Sequence, residues 1–193
     1  MSDAAASPRR SPRQARSRVT VDAILEAATR ILEAGERFTT NHVAERAGVS
    51  VGTLYQYFPD KVAILHALGD RERAAMAEAT RAGIAAGVDP ARAAIRAQLS
   101  AFVGRHAARR AVLEAILRDP DVPGMADKVD AGVAPFVREG ERAEHAFVLS
   151  RAVMGVVRAA VLEQSPLLGT PELEEALVRL VRGYAEASPK RSK

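Results

Sequence analysis

The chain has 193 residues, with 28 Lys and Arg against 24 Asp and Glu for a net charge of +4, and 48% of its residues are hydrophobic. It contains no cysteine, which excludes a disulfide framework, a thiolate zinc site, a cysteine nucleophile and a thiol redox switch. The apolar fraction is that of a globular chain, no stretch approaches the roughly 18 uninterrupted apolar residues of a membrane span, and the Arg-rich start lacks the apolar segment of a secretory signal; the expectation is a cytoplasmic protein with a packed core.

Alanine is abundant and apolar residues recur at three and four positions rather than two, which predicts an all-α protein. Residues 1–20 carry five arginines against Asp3 alone, so this segment equals the whole net charge. Its Ser, Pro and Arg bury too little apolar surface to offset ordering, and 1–18 reads as a disordered basic arm. Such an arm is either a solubility tail or a means of neutralising nucleic-acid phosphates. Thr20 can cap a first helix with the apolar face Ile24, Leu25, Ala28, Ile31 and Leu32, ending near Gly35. A short helix from Thr39 to Ala47 is stopped by Gly48, and another opens at Ser50. Asp60 caps a longer one that runs through Val62, Ile64, Leu65 and Leu68 towards Gly83 or Gly87.

Asp89-Pro90 is a cap followed by proline at the first helical position. It starts a stripe of Ile95, Leu99 and Phe102, with His106 at the next step. Val112 to Leu117 is a short apolar helix, and Pro123 opens another through Met125, Val129 and Phe136, with a kink or break expected at Pro135. Residues 142–163 are apolar nearly all round, interrupted by Arg151 and Arg158, which requires burial on more than one side. Thr170-Pro171 starts a last helix with the stripe Leu173, Leu177, Leu180 and Tyr184, its acidic residues near the positive end of the helix dipole and Arg179 and Arg182 near the negative end. The predicted organisation is a basic arm (1–18), a small helical domain (19–68), a larger helical domain (69–187) and a basic tail (188–193).

The most specific signal is TTNHVAERAGVSVGTLYQYFPDK at 39–61. Two short helices, with Gly48 supplying a positive-φ turn and Ser50 capping the second, make a helix-turn-helix. Val43, Ala44, Ala47, Val49, Leu54 and Phe58 would close its core, leaving Val51, Gly52, Thr53, Tyr55, Gln56 and Tyr57 outward. A short polar and aromatic face of this kind can enter a major groove, where Thr and Gln hydrogen-bond base edges and apolar groups pack on thymine methyls. Tyrosine hydroxyls suit phosphate oxygens. Lys61, in a first helical turn where its charge opposes the dipole, makes sense if a phosphate binds that end.

From Thr20 to about Leu68 the sequence resembles the DNA-binding domain of the TetR/AcrR family of transcriptional regulators. Its run T-x-x-x-V-A-x-x-A-G-V-S-x-G-T-L-Y-x-Y-F-x-x-K is filled without a gap from Thr39 to Lys61. The resemblance implies a homodimer that reads a palindromic operator, usually as a repressor released by a small ligand. Carried over, Val51, Gly52, Thr53 and Gln56 would face bases and Thr39, Tyr55, Tyr57 and Lys61 would hold phosphates, with Tyr57 able to do either; Thr40 and Ser50 belong to the same candidate interface. His42 departs from the pattern, standing where many members carry an acidic residue that completes a capping box, which leaves the local capping open. Beyond residue 70 the resemblance is architectural: a helical ligand-binding and dimerisation domain, in which the last two long helices pair with their mates as a four-helix bundle. That would explain the apolar 142–163 segment, whose Ala152, Gly155, Ala159 and Ala160 permit close approach; burial within one chain is the alternative.

The four histidines, His42, His66, His106 and His145, are widely spaced, and no metal or other cofactor is expected. A ligand pocket would be walled by Phe102, Leu113, Leu117, Phe136, Phe147 and Met154, with His106 and Arg158 as its polar candidates, and its lining suggests a largely apolar small molecule. No Gly-rich phosphate loop, nucleophile elbow or pair of metal carboxylates supports an enzyme. Two functions compete: a repressor released by a ligand, and a helix-turn-helix protein that acts on DNA as a structural or interaction factor without one. Only the first should gain thermal stability from a small molecule.

Overall fold

The structure is a computed structural model that describes residues 12–102, 106–118 and 143–187. Among these, all regular secondary structure is helical: α1 (Pro12–Glu33), α2 (Thr40–Ala47), α3 (Val51–Tyr57), α4 (Lys61–Ala85), α5 (Pro90–Ser100), α6 (His106–Arg118), α7 (Ala143–Leu162) and α8 (Pro171–Ala187). The chain divides into two compact units, to Ala67 and from Leu68, with the division inside α4. No helix among the described residues is long and apolar enough to cross a membrane.

In the first unit the apolar face of α1, including Ile24, Ala28 and Ile31, packs on α2 and is fully buried. Helix α1 begins at Pro12, not at Thr20, so residues 12–18 are helical rather than part of a disordered arm; residues 1–11 lie outside the described residues. The physical reason is local. Proline suits a first helical position, and the Arg, Gln and Ala that follow are strong helix formers. Thr20 is consequently no cap: inside the helix its hydroxyl donates back to the Arg16 carbonyl at 3.0 Å.

In the second unit α5 packs on α8, and α7 joins them through Leu149, Val153 and Val157, which meet Ile95, Leu99, Leu177 and Val178 in one apolar cluster. Just past the end of α4, Gly87 with a φ of 83° closes the turn, and the N–H of Val88 donates to the Gly83 carbonyl. Gly83 itself is needed for close approach, because a Cβ there would lie 3.1 Å from the Cβ of Ala93 on α5. His106 opens α6 and so does not continue the α5 stripe, which ends in a turn at Ala101 and Phe102. On α8 the buried line is Leu173, Leu177, Val178 and Val181, and Leu180 is 40% exposed, so the stripe turns with the helical period of 3.6 rather than through position 180. The helix expected from Pro123, with its break at Pro135, lies outside the described residues, as does the 188–193 tail.

An ion network clamps the start of α5 to α8. Arg92 donates to Glu174 at 3.0 Å and to Glu175 at 2.6 Å, Arg96 donates to both Glu174 oxygens at 2.9 and 3.2 Å, and Arg182 pairs with Asp89 at 3.1 Å. The hydrogen bond from Arg96, reinforced by Arg92 and opposed by partial burial, holds the Glu174 carboxyl below its ordinary value of 4.5. A depressed carboxylate stabilises the fold above its unfolded-state pKa, and that contribution is lost as pH falls through the folded value. Urea titrations between neutral pH and about pH 3 should therefore show the second unit losing stability below about pH 4.5. Glu174→Gln should be weaker at neutral pH and flatter in acid; parallel pH curves for the variant and the natural chain would refute the assignment.

Candidate nucleic-acid interface

The helix-turn-helix is assembled by local hydrogen bonds that its sequence dictates. Thr39, extended at φ −136° and ψ 154°, accepts the N–H of His42 at 3.2 Å and caps α2. Gly48, with φ 70°, ends that helix, and the N–H of Val49 donates to the Ala44 carbonyl at 3.0 Å. Two residues later Ser50 accepts the N–H of Thr53 at 3.0 Å and caps α3. Asp60 then accepts the N–H of Ala63 at 2.8 Å at the start of α4. Three caps and one left-handed glycine thus set two short helices against each other within about twenty residues. Val43, Ala44, Leu54 and Phe58 are buried between them and α1, whereas Ala47 and Val49 are only half-buried.

With Leu54 and Phe58 inward, helical register turns Val51, Gly52, Tyr55 and Gln56 to solvent, and all four are exposed. Thr53 and Tyr57 are half-buried rather than fully outward. They flank Leu54 and Phe58, so their side chains lie at the edge of the face. The Thr53 hydroxyl is also 2.8 Å from that of Ser50, within the cap. Lys61 is exposed at the first residue of α4, and Thr39 and Thr40 are half-buried at the start of α2. The Tyr55 hydroxyl lies 3.2 Å from that of Thr40, which ties the exposed face of α3 to the beginning of α2. The structure thereby gathers the ten candidate residues onto the starts of α2 and α4 and the length of α3.

Two features of this site carry no sequence signal. The Glu36 carboxylate, in the loop before α2, accepts from Arg46 at 2.7 Å, and the His42 Nε2 lies 3.2 Å from it. The His42 Nδ1 meanwhile lies 3.1 Å from the Arg37 carbonyl. The histidine that departs from the family pattern therefore leaves the Thr39 cap intact and fastens the preceding loop to α2, with Glu36 supplying the acidic partner from outside the helix.

The candidate ligand residues do not gather in the same way. Phe102 is half-buried against the second unit's apolar cluster, with the guanidinium of Arg109 5.1 Å from its ring centre. Leu113 and Met154 are half-buried, and the Gln98 amide approaches the Met154 sulfur. Phe147 is 52% exposed with Arg151 4.7 Å over its ring, and Arg158 is exposed. Neither Phe147 nor Arg158 faces the interior of its unit, because the buried face of α7 is set by Leu149, Val153, Val157 and Ala160. His106 and Leu117 lie on α6 with side chains outside the described set, and Phe136 lies outside the described residues altogether.

Two short capped helices, a left-handed glycine turn and an exposed polar face on the second helix make a helix-turn-helix DNA-binding transcriptional regulator. Residues 24–68 match the family of bacterial regulatory proteins designated tetR. Over 149 residues the chain is 35% identical to the HTH-type transcriptional repressor KstR of Mycolicibacterium smegmatis, covering 69% of this chain and 70% of that protein. The chain belongs to the TetR family. Its fold is similar to that of a TetR transcriptional regulator from Rhodococcus sp. RHA1, with a TM-score of 0.61, 20% identity, and coverage of 93% of this chain and 100% of that one. It is also similar to the fatty acid degradation regulator FadR from Bacillus halodurans, with a TM-score of 0.58, 16% identity, and coverage of 88% and 99%.

Proposed function

We propose that the chain is a cytoplasmic, non-enzymatic homodimeric repressor that binds a palindromic operator through residues 39–61 and is released by a small, largely apolar effector held within residues 69–187. The observation that carries the DNA-binding part is the exposed face of α3, Val51, Gly52, Tyr55 and Gln56, presented between capped helix ends. Domain limits of 19–68 and 69–187 fit this division of labour, with basic segments at 1–18 and 188–193. Dimerisation is supported by exposed apolar side chains on neighbouring helices, Val148 and Val156 on α7 and Leu180 on α8. An apolar effector is in keeping with similar proteins named as a fatty acid degradation regulator and a multidrug binding protein. Two recognition helices about 34–36 Å apart enter successive major grooves, so an effector that favours another spacing weakens binding without touching DNA.

Within the interface the roles divide by chemistry. Gln56 offers a donor and an acceptor to a base edge, and its loss should cost about 1–3 kcal/mol at one base position. Lys61 offers only charge, so Lys61→Ala should weaken binding to every sequence alike. Gel shifts of Gln56→Ala and Lys61→Ala against an upstream duplex and its single-base variants test this; equal, sequence-independent losses for both would overturn the assignment.

A further inference from the structure

The fully buried side chains of α1 begin well inside the helix. No side chain from residue 16 to residue 23 is buried, and the first that is buried is Ile24. Residues 16–23, about 12 Å of helix at about 1.5 Å per residue, therefore precede the first fully buried side chain. Arg16 and Arg18 are exposed on it, and among the described residues neither has an acidic partner. The first acidic residue of the helix is Asp22. Cations near the start of a helix oppose its dipole, so these arginines are not placed there for the helix's own stability.

Charge elsewhere in the unit makes their position more telling. Residues 21–68 hold four basic side chains, Arg30, Arg37, Arg46 and Lys61, against six acidic ones. Two of those four are engaged, Arg30 with Glu26 at 3.1 Å and Arg46 with Glu36 at 2.7 Å. The helix-turn-helix therefore has no net attraction of its own for a polyanion. We propose that the leading turns of α1, through Arg16 and Arg18, bind DNA phosphates and supply the salt-dependent part of the affinity. The inference rests on the DNA-binding reading above and replaces a disordered arm with a preformed basic helix, complementary in charge to the duplex.

Anisotropy titrations of the full chain test it, using a duplex from its own upstream region and a shuffled duplex of the same composition, from about 50 to about 200 mM salt. Arg16→Gln/Arg18→Gln keeps helix formers at both positions, which circular dichroism verifies. The double variant should flatten the slope of log affinity against log salt by about 0.9 per lost phosphate contact, or about 2 per protomer. Both duplexes should weaken by the same factor. An unchanged slope overturns the proposal, as does a loss confined to one duplex, which would mean base reading. Gln56→Ala run alongside separates the two claims. If it erases the preference for the upstream duplex while the arginine variant leaves the slope untouched, the α3 reading stands and this inference fails. If neither variant changes anything, both fail.

Discussion

Leu54→Ala is expected to abolish sequence-specific DNA binding although Leu54 touches no base. Its side chain is completely buried at the centre of α3, one residue from Tyr55 and two from Gln56. Truncating a buried leucine costs about 2–5 kcal/mol, the lost transfer free energy together with the cavity left behind. The first unit is small, and a unit of its size has little stability in reserve against about 5–15 kcal/mol for a typical domain. Alpha-helical caps cannot make up the difference, since each is worth about 1 kcal/mol. The melting transition of the first unit should fall by on the order of 10 °C or more, while the second unit's cluster, which Leu54 does not join, keeps its own. Calorimetry with gel shifts reads both effects. A variant that melts like the natural chain and still binds would show that the recognition helix is held by something other than this core.

The helix-turn-helix was legible in the sequence because its determinants are local. Gly48, Ser50 and Asp60 each act within four residues, through a cap or a left-handed turn, at the expected position, and Thr39, expected as the first helical residue, caps the helix that follows it. What could not be read depends on distance or on competition between local rules. The Arg92 to Glu174 pair spans 82 residues of sequence, and no pattern of charges along one helix announces it. At the start of α1, composition argues for disorder while Pro12 and the helix formers after it argue for a helix, and the helix prevails. On α7 the hydrophobicity is so uniform that the period no longer tells inside from outside. Leu149 is buried and Phe147, two residues earlier, is half in solvent. Phe147 and Arg158 do not turn inward for that reason, whereas on α3 polar residues mark the outer side, and Val51, Gly52, Tyr55 and Gln56 of the six residues expected there are exposed.

That uniform hydrophobicity of α7 leads to the second large effect. One face of the helix, Leu149, Val153 and Val157, is spent on the second unit's own core. The other presents Val148, Gly155 and Val156 to solvent in the single chain, and Leu180 and Gly183 are exposed on α8, which packs against α7. A soluble monomer has no use for two adjacent helices with apolar outer faces and glycines that admit close approach. In the homodimer proposed above, a second copy of the chain would cover them both by the same contacts in reverse. Val156→Glu should then leave the fold intact, because position 156 is already exposed, but set a carboxylate where the dimer excludes water, at a cost of several kcal/mol. Since a palindrome is bound by two recognition helices held at fixed spacing, the monomer should lose most of its operator affinity while keeping an unaltered α3. Val157→Ala, one residue away but fully buried, should do the reverse, lowering thermal stability by about 1 kcal/mol or more with the oligomeric state unchanged. Light scattering after gel filtration distinguishes the two, and a Val156→Glu chain that remains dimeric would move the subunit contact off this face of α7.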